Sequence, residues 1–253
     1  MKLLAFDTST EHLSIAVQHG DRVWCHRGAG GAQASTTLLP AITGLLEQAG
    51  LSLTQLDALV VGRGPGSFTG LRTACAVAQG LAFGADRPVV ALDTLLALAE
   101  SARQADARAR RVLAVLDARM GQLYTAAYEW HASGWITVSP PALVDPADLT
   151  WPADWLHDPQ VWVAGNAHAQ ITDLPHFLNT PDGLGRSILD AVPDAQALLA
   201  LTPAAWARGD LFRAEHVQPL YLRDKVALTT KERETAKAQT VGHQPLSSGM
   251  SAT

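Results

Sequence analysis

The chain is poor in what several function classes require. It holds only two cysteines in 253 residues, Cys25 and Cys75, without CxxC spacing, which excludes a disulfide framework and a cysteine-built zinc site. Its nine histidines are scattered, with no His-Glu-x-x-His and no pair at i,i+3 or i,i+4, so no metal site is expected. Lys and Arg number 19 against 24 Asp and Glu, a net charge of −5. A stand-alone nucleic-acid binder needs clustered positive charge and is not expected from that balance. No apolar run approaches the roughly 18 residues of a membrane span. The first apolar run, Leu3 to Phe6, breaks at Asp7 and does not read as a signal peptide. A soluble cytoplasmic chain without a membrane partner is expected. Charged residues make up 17%, below the roughly 25% of average usage. With 47% apolar residues, some apolar surface is expected to face a partner.

What is present opens as strands. Leu3–Phe6, Leu13–Val17 and a third strand from Val23, with turns at Asp7–Thr10 and Gly20-Asp21, predict an antiparallel meander. The period then becomes helical at Leu38, Leu39, Ile42, Leu45, Leu46 and Ala49. Thr36 or Thr37 is expected to cap that helix, Pro40 to lie in its first turn, and Gly50 to end it. A strand at Leu59–Val61, a Gly-rich loop, a helix to about Gly84, a strand at Val89–Leu92 and a helix at Thr94–Ala102 complete a βββαβαβα unit. Arg103 to Arg111 reads as a connection between domains. The opening then repeats at an offset of 110: Leu3, Asp7, Leu13 and Ala16 map onto Leu113, Asp117, Leu123 and Ala126. Val161–Gly165 repeats the strand-plus-glycine of residues 59–62. Pro140, Pro141 and later prolines are expected to break the second half into short pieces, with its Trp residues filling a loop-rich core. A last helix spans 195–209, and from Leu228 the chain turns polar. The expected division is a lobe of residues 1–104, onto which helix 195–209 packs back, a lobe of 105–225, and a disordered tail of 226–253.

Three places could carry chemistry. Asp7, Thr8, Ser9 and Thr10 could hold phosphate oxygens or a cation-bound water, or could simply form a turn. The loop of Gly62, Gly64, Pro65, Gly66, Ser67, Thr69 and Gly70 ends at a helix start, where free N–H groups suit an anion. Its glycines equally suit close backbone packing, and no Gly-Lys-Ser/Thr follows. Ser67 lies in no Gly-x-Ser-x-Gly elbow and has no setting for a nucleophile. The helix pair bearing Leu38, Leu39, Ile42, Leu45 and Leu46 on one member and Thr73, Val77 and Leu81 on the other suits a partner interface or an internal packing. Arg103, Arg108, Arg110 and Arg111 cluster, as an RNA contact or as an exposed linker would.

Four blocks then stand out in order over residues 1–223: Asp7-Thr8-Ser9-Thr10, Gly62-Arg63-Gly64-Pro65-Gly66-Ser67-Phe68-Thr69-Gly70-Leu71-Arg72, Asp117-Ala118-Arg119-Met120-Gly121 and Pro219-Leu220-Tyr221-Leu222-Arg223. They resemble the bacterial TsaB (YeaZ) family. The resemblance implies an α/β, duplicated ribonuclease-H-like fold, shared with actin, Hsp70 and the sugar kinases. It implies work in forming N6-threonylcarbamoyladenosine in tRNA, as the non-catalytic partner of the catalytic paralogue TsaD, with the ATPase TsaE joining them. It places the dimer interface on the two helices at 38–49 and 70–84, a surface also able to form a homodimer. tRNA would be met indirectly, no cofactor is expected on the isolated chain, and ATP or ADP belongs to the complex.

The residues agree with a chain that has no catalytic group of its own. Nucleotide-splitting members of the fold carry small residues in the second hairpin, where this chain has Asp117-Ala118-Arg119-Met120, although Arg119 could face a phosphate. The paralogue's metal-binding His pair falls where this chain has Asp93 to Ala99, without a His. An independent ATP-dependent kinase, motivated by Asp7, is the alternative reading, and a metallopeptidase the third. One departure is Ala34, where the family commonly has His before the first helix.

Overall fold

A short apolar run without alternation that stops at a turn, such as Leu3–Phe6, suits a strand covered on both faces. In the computed structural model it is the middle strand of a sheet. The structure describes residues 1–155, 158, 160–171, 188–189 and 191–223, so the tail expected at 226–253 lies outside the described residues. The first half contains β1 (Lys2–Asp7), β2 (His12–His19), β3 (Arg22–Ala29), α1 (Ala34–Ala49), β4 (Ala58–Gly62), α2 (Phe68–Ala85), β5 (Val89–Leu92) and α3 (Thr94–Ala105). Its sheet has the order β3-β2-β1-β4-β5, with β1–β2 and β2–β3 antiparallel and β1–β4 and β4–β5 parallel.

The second half contains β6 (Arg111–Asp117), β7 (Leu123–His131), β8 (Gly134–Val144), β9 (Val161–Ala164), β10 (Ile188–Leu189) and α4 (Ala195–Arg208). Its sheet runs β10-β9-β6-β7-β8, again antiparallel on the meander side and parallel on the other. The two sheets repeat one topology, which is the duplicated ribonuclease-H-like fold. Helices α1 and α2 cover one face of the first sheet. The remaining two helices cross over. α3 follows β5 but packs on β6, β7 and β9, while α4 follows β10 but packs on β1, β2, β4 and β5, and the two helices pack on each other. Met1–Leu222 is one compact unit.

Several local expectations need correction. The first helix begins at Ala34, not near Leu38, and Thr36 and Thr37 do not cap it; their hydroxyls donate to the Gln33 carbonyl at 2.9 and 3.0 Å. Pro40 therefore lies in the second turn. The carbonyl it leaves unbonded belongs to Thr36, which is exposed, so water meets it and the helix continues. Pro140 and Pro141 do not break the chain either. They sit within β8, an edge strand, beside register shifts between Thr125 and Tyr128 of β7, where a missing N–H costs no ladder bond. The 110-residue offset holds in the second strand of each sheet, where Leu13 and Leu123 both face the outer clusters. In the first strand it slips: Leu3 faces α4 whereas Leu113 faces the opposite side, against Trp155. A one-residue shift reverses the face of every side chain.

The crossing helices bury one charged group. Glu100 of α3 is 1% exposed. Its carboxylate accepts two bonds from Arg103 at 2.8 and 2.7 Å, one from the Gln104 amide at 3.1 Å and one from the Trp135 indole at 2.8 Å. The Arg103 guanidinium also lies 4.1 Å over Trp130. Removing one member strands a buried charge, which costs more than the pair contributes. Arg103→Met should destabilise the chain by about 3 kcal/mol in urea unfolding, and a change below about 1 kcal/mol would show that Glu100 is not held this way.

Candidate functional site

The parallel strands bring two of the sequence blocks to one end of the first sheet. Asp7 ends β1 and Gly62 ends β4, side by side. The Asp7 carboxylate lies so close to Gly62 that a Cβ there would stand 1.8 Å from Oδ2. Asp7 Oδ1 accepts from the Ser9 N–H at 2.8 Å and the Ser9 hydroxyl at 2.5 Å. Oδ2 is 3.4 Å from the Thr94 hydroxyl, which itself accepts from the Gly64 N–H at 3.1 Å. Thr8 donates its hydroxyl to the Gly70 carbonyl at 2.7 Å, and a Cβ on Gly70 would meet the Thr8 carbonyl oxygen at 1.9 Å. The Ser67 N–H donates to the Ser9 carbonyl at 2.6 Å, and the Thr10 hydroxyl accepts from the His12 N–H at 3.1 Å. Gly64 and Pro65 are buried, joined by a cis peptide, while Gly66 is half-buried and Ser67 and Thr69 are exposed.

Hairpin and Gly-rich loop are thus one buried knot. The glycines let two backbones meet, and Asp7, Thr8 and Ser9 spend their hydrogen bonds on the chain itself. Burial pushes the Asp7 carboxyl above its ordinary value, against the opposing pull of its Ser9 and Thr94 hydrogen bonds. The same burial pushes the Cys75 thiol up to about 11, which removes it as a nucleophile.

The second hairpin faces the first. Arg119, Met120 and Gly121 are three successive left-handed residues, with φ of 63°, 57° and 74°. Asp117 fixes the turn, accepting from the Arg119 N–H at 2.7 Å and its guanidinium at 3.0 Å. Asn166, next to Gly165 at the end of β9, accepts from the Asp117 N–H at 3.0 Å. Gly165 repeats the role of Gly62, since a Cβ there would lie 1.7 Å from the Val115 carbonyl oxygen. Glu11 of the first hairpin reaches across to Asn166 at 3.4 Å and to Arg119 at 3.9 Å. Two carboxylates, Glu11 and Asp117, therefore flank the exposed Arg119 guanidinium. Among the described residues no group of three or more His, Cys, Asp or Glu could hold a metal ion, and no described helix is long and apolar enough to cross a membrane.

The helix pair divides the expected interface residues in two. Leu38, Ile42, Leu45 and Leu46 are buried under 7% exposure in the chain's own core. They are side chains of the chain's own core, because an apolar stripe turns first to its own sheet. Leu39 is 45% exposed, and Thr73, Val77 and Leu81 are half-buried at the surface. Phe83, which periodicity did not single out, is 81% exposed. Beside it Gly80, Leu81 and Gly84 join Ser52–Thr54 in lining an open cavity of about 390 Å³. The arginine cluster is largely neutralised: Arg103 by Glu100, Arg108 by Asp106 and Arg111 by Glu129 and Asp158, while Arg110 donates to the Trp130 carbonyl.

A sequence model of the tRNA N6-adenosine threonylcarbamoyltransferase family, TsaD, matches residues 30–197. The tRNA threonylcarbamoyladenosine biosynthesis protein TsaB of Escherichia coli K12 is 34% identical over 233 residues, covering 90% of this chain and 96% of the relative. The chain belongs to the TsaB family. The TsaB of Haemophilus influenzae is 45% identical over 125 residues, 49% of this chain and 52% of its own length. The solved structure of YeaZ from Pseudomonas aeruginosa superposes with a TM-score of 0.76 at 37% identity, covering 87% of this chain and 99% of that one. The family membership ties the chain to threonylcarbamoyladenosine formation in tRNA.

The knot makes opposite predictions for its two central residues. With its native pKa raised, Asp7 is fully compatible with folding below the ordinary carboxylate value of about 4 and costs stability as pH rises through the raised value. Asp7→Asn keeps the Ser9 bonds and should melt a few degrees higher than the parent at pH 7, the gap closing below about pH 4. Gly62→Ala should destabilise by about 3 kcal/mol at every pH. Paired thermal melts across pH check both, and a lower melting point for Asp7→Asn at pH 7 would contradict the assignment.

Proposed function

We propose that this chain is the non-catalytic subunit of the threonylcarbamoyladenosine-forming machinery and pairs with a TsaD-like paralogue. The observation that carries this is the exposed apolar surface along α1 and α2, where Leu39 and Phe83 are exposed and Thr73, Val77 and Leu81 are half-buried. An 81%-exposed Phe beside small residues is an anchor of the kind that dominates protein interfaces. Three further features support the reading. The residues of the first hairpin are consumed by the knot, the second hairpin is flanked by carboxylates, and the chain carries no His in Asp93–Ala99, where the paralogue has its metal-binding pair. A TsaE-like ATPase joins the pair, ATP or ADP is used by the complex, and tRNA is held chiefly by other chains. Alone, the same face can pair two copies.

Phe83→Arg alters an exposed position and Val77→Arg a half-buried one at the edge of the core, and both should leave the fold intact while weakening the complex with the paralogue by at least about 100-fold. Leu45→Arg is unsuitable, since it places a charge in the core. Calorimetric titration of the purified paralogue reads the affinity, and circular dichroism reads the fold. Unchanged affinity in both variants would place the interface elsewhere, and turnover of Mg-ATP by this chain alone would favour a kinase.

A further inference from the structure

The segment after α4 runs back over the first sheet and along α2. Phe212 and Val89 exchange two backbone hydrogen bonds at the β5 edge, of 2.8 and 2.9 Å. Ala214 and Val217 are buried in the cluster beneath α1 and α2, and the Gln79 amide of α2 donates to the Val217 carbonyl at 2.9 Å. Further on, the Leu220 N–H donates to the Arg63 carbonyl at 2.7 Å, and Leu222 packs against the cluster on the inner face of the second sheet. Tyr221 lies between these two anchors. Its ring centre is 4.9 Å from that of Phe68, the first residue of α2. Its hydroxyl accepts from Arg72 Nε at 3.1 Å, and the Arg72 guanidinium lies 3.7 Å over the Phe68 ring.

This three-part stack buries little: Tyr221 is 42% exposed and Arg72 is exposed. What it does is hold the first turn of α2, the turn whose amides have no acceptor within the helix and which frays most readily. The same helix carries Thr73, Val77, Leu81 and Phe83. A helix already fixed in its docking pose loses less freedom on binding. We propose that residues 212–222 are a strap that presets α2 for its partner, with Tyr221 as the positioning residue that clasps the helix start. The strap rests on the reading of α2 as the partner face.

Hydrogen exchange of the free chain tests the clasp without the partner. In Tyr221→Ala the bonded amides within residues 68–72, among them Gly70 and Leu71, which donate to Ser67, should exchange about tenfold faster, while those of α1 keep the parent rate. Tyr221→Phe retains the ring and should stay close to the parent. Affinity for the paralogue should fall about tenfold in Tyr221→Ala and stay within about twofold in Tyr221→Phe. Unchanged exchange at residues 68–72, a parallel rise in α1, or undiminished affinity despite faster exchange would each overturn the strap. A parent chain that binds no paralogue would defeat the functional reading alone, and the exchange result would still decide whether Tyr221 holds α2.

Discussion

The buried Asp7 carboxylate, set against Gly62 and tied to Ser9, is the contact on which the rest of the first sheet's end depends. It fixes how closely β1 and β4 finish, and from there the Gly-rich loop must pass within van der Waals distance of the Thr8–Ser9 backbone. That passage sets where α2 begins, and Thr94 carries the same constraint to the start of α3. The Asp7 carboxyl is held by hydrogen bonds and by fit, while Arg63 of the loop pairs with Asp93, and burial keeps the acid towards the neutral form. A group held in this way serves architecture.

The duplication explains how two modest sheets make one unit. Each sheet covers one face with the helix that follows the other sheet's last strand, so neither can be removed without exposing the other's core. The low charge content follows from this geometry. The inner faces of both sheets, both crossing helices and the inward sides of α1 and α2 all need apolar residues. What remains for water is narrow, and on α2 part of it is apolar as well, with Phe83 at its end.

The strands, the meander and the order of elements were legible because buried strands leave continuous apolar runs, and because Gly50 and Gly209 end their helices in the left-handed conformation that glycine takes without cost. The knot was legible as two blocks but not as one site: only the parallel pairing of β1 with β4 brings Asp7 to Gly62. Glu11, Asn166 and Thr94 escaped notice because each is an ordinary polar residue until the fold sets it against its partner. On α1 periodicity reveals the stripe that a helix turns to its own sheet, so Leu38, Ile42, Leu45 and Leu46 lie in the core. A lone exposed aromatic such as Phe83 leaves no periodic signal. Pro40 and Pro140–Pro141 misled for a related reason: whether a missing N–H matters depends on whether its acceptor faces water or a ladder.

On the proposed function, this chain enables a modification that it does not itself catalyse. Reconstitution measures that most directly: unmodified tRNA, threonine, bicarbonate, ATP, an enzyme supplying the threonylcarbamoyl donor, the TsaD-like paralogue and the TsaE-like ATPase, with and without this chain, followed by nucleoside analysis of the tRNA. Threonylcarbamoyladenosine is expected only when this chain and the paralogue are both present. Equal product without this chain, or product from this chain in the paralogue's absence, would contradict it.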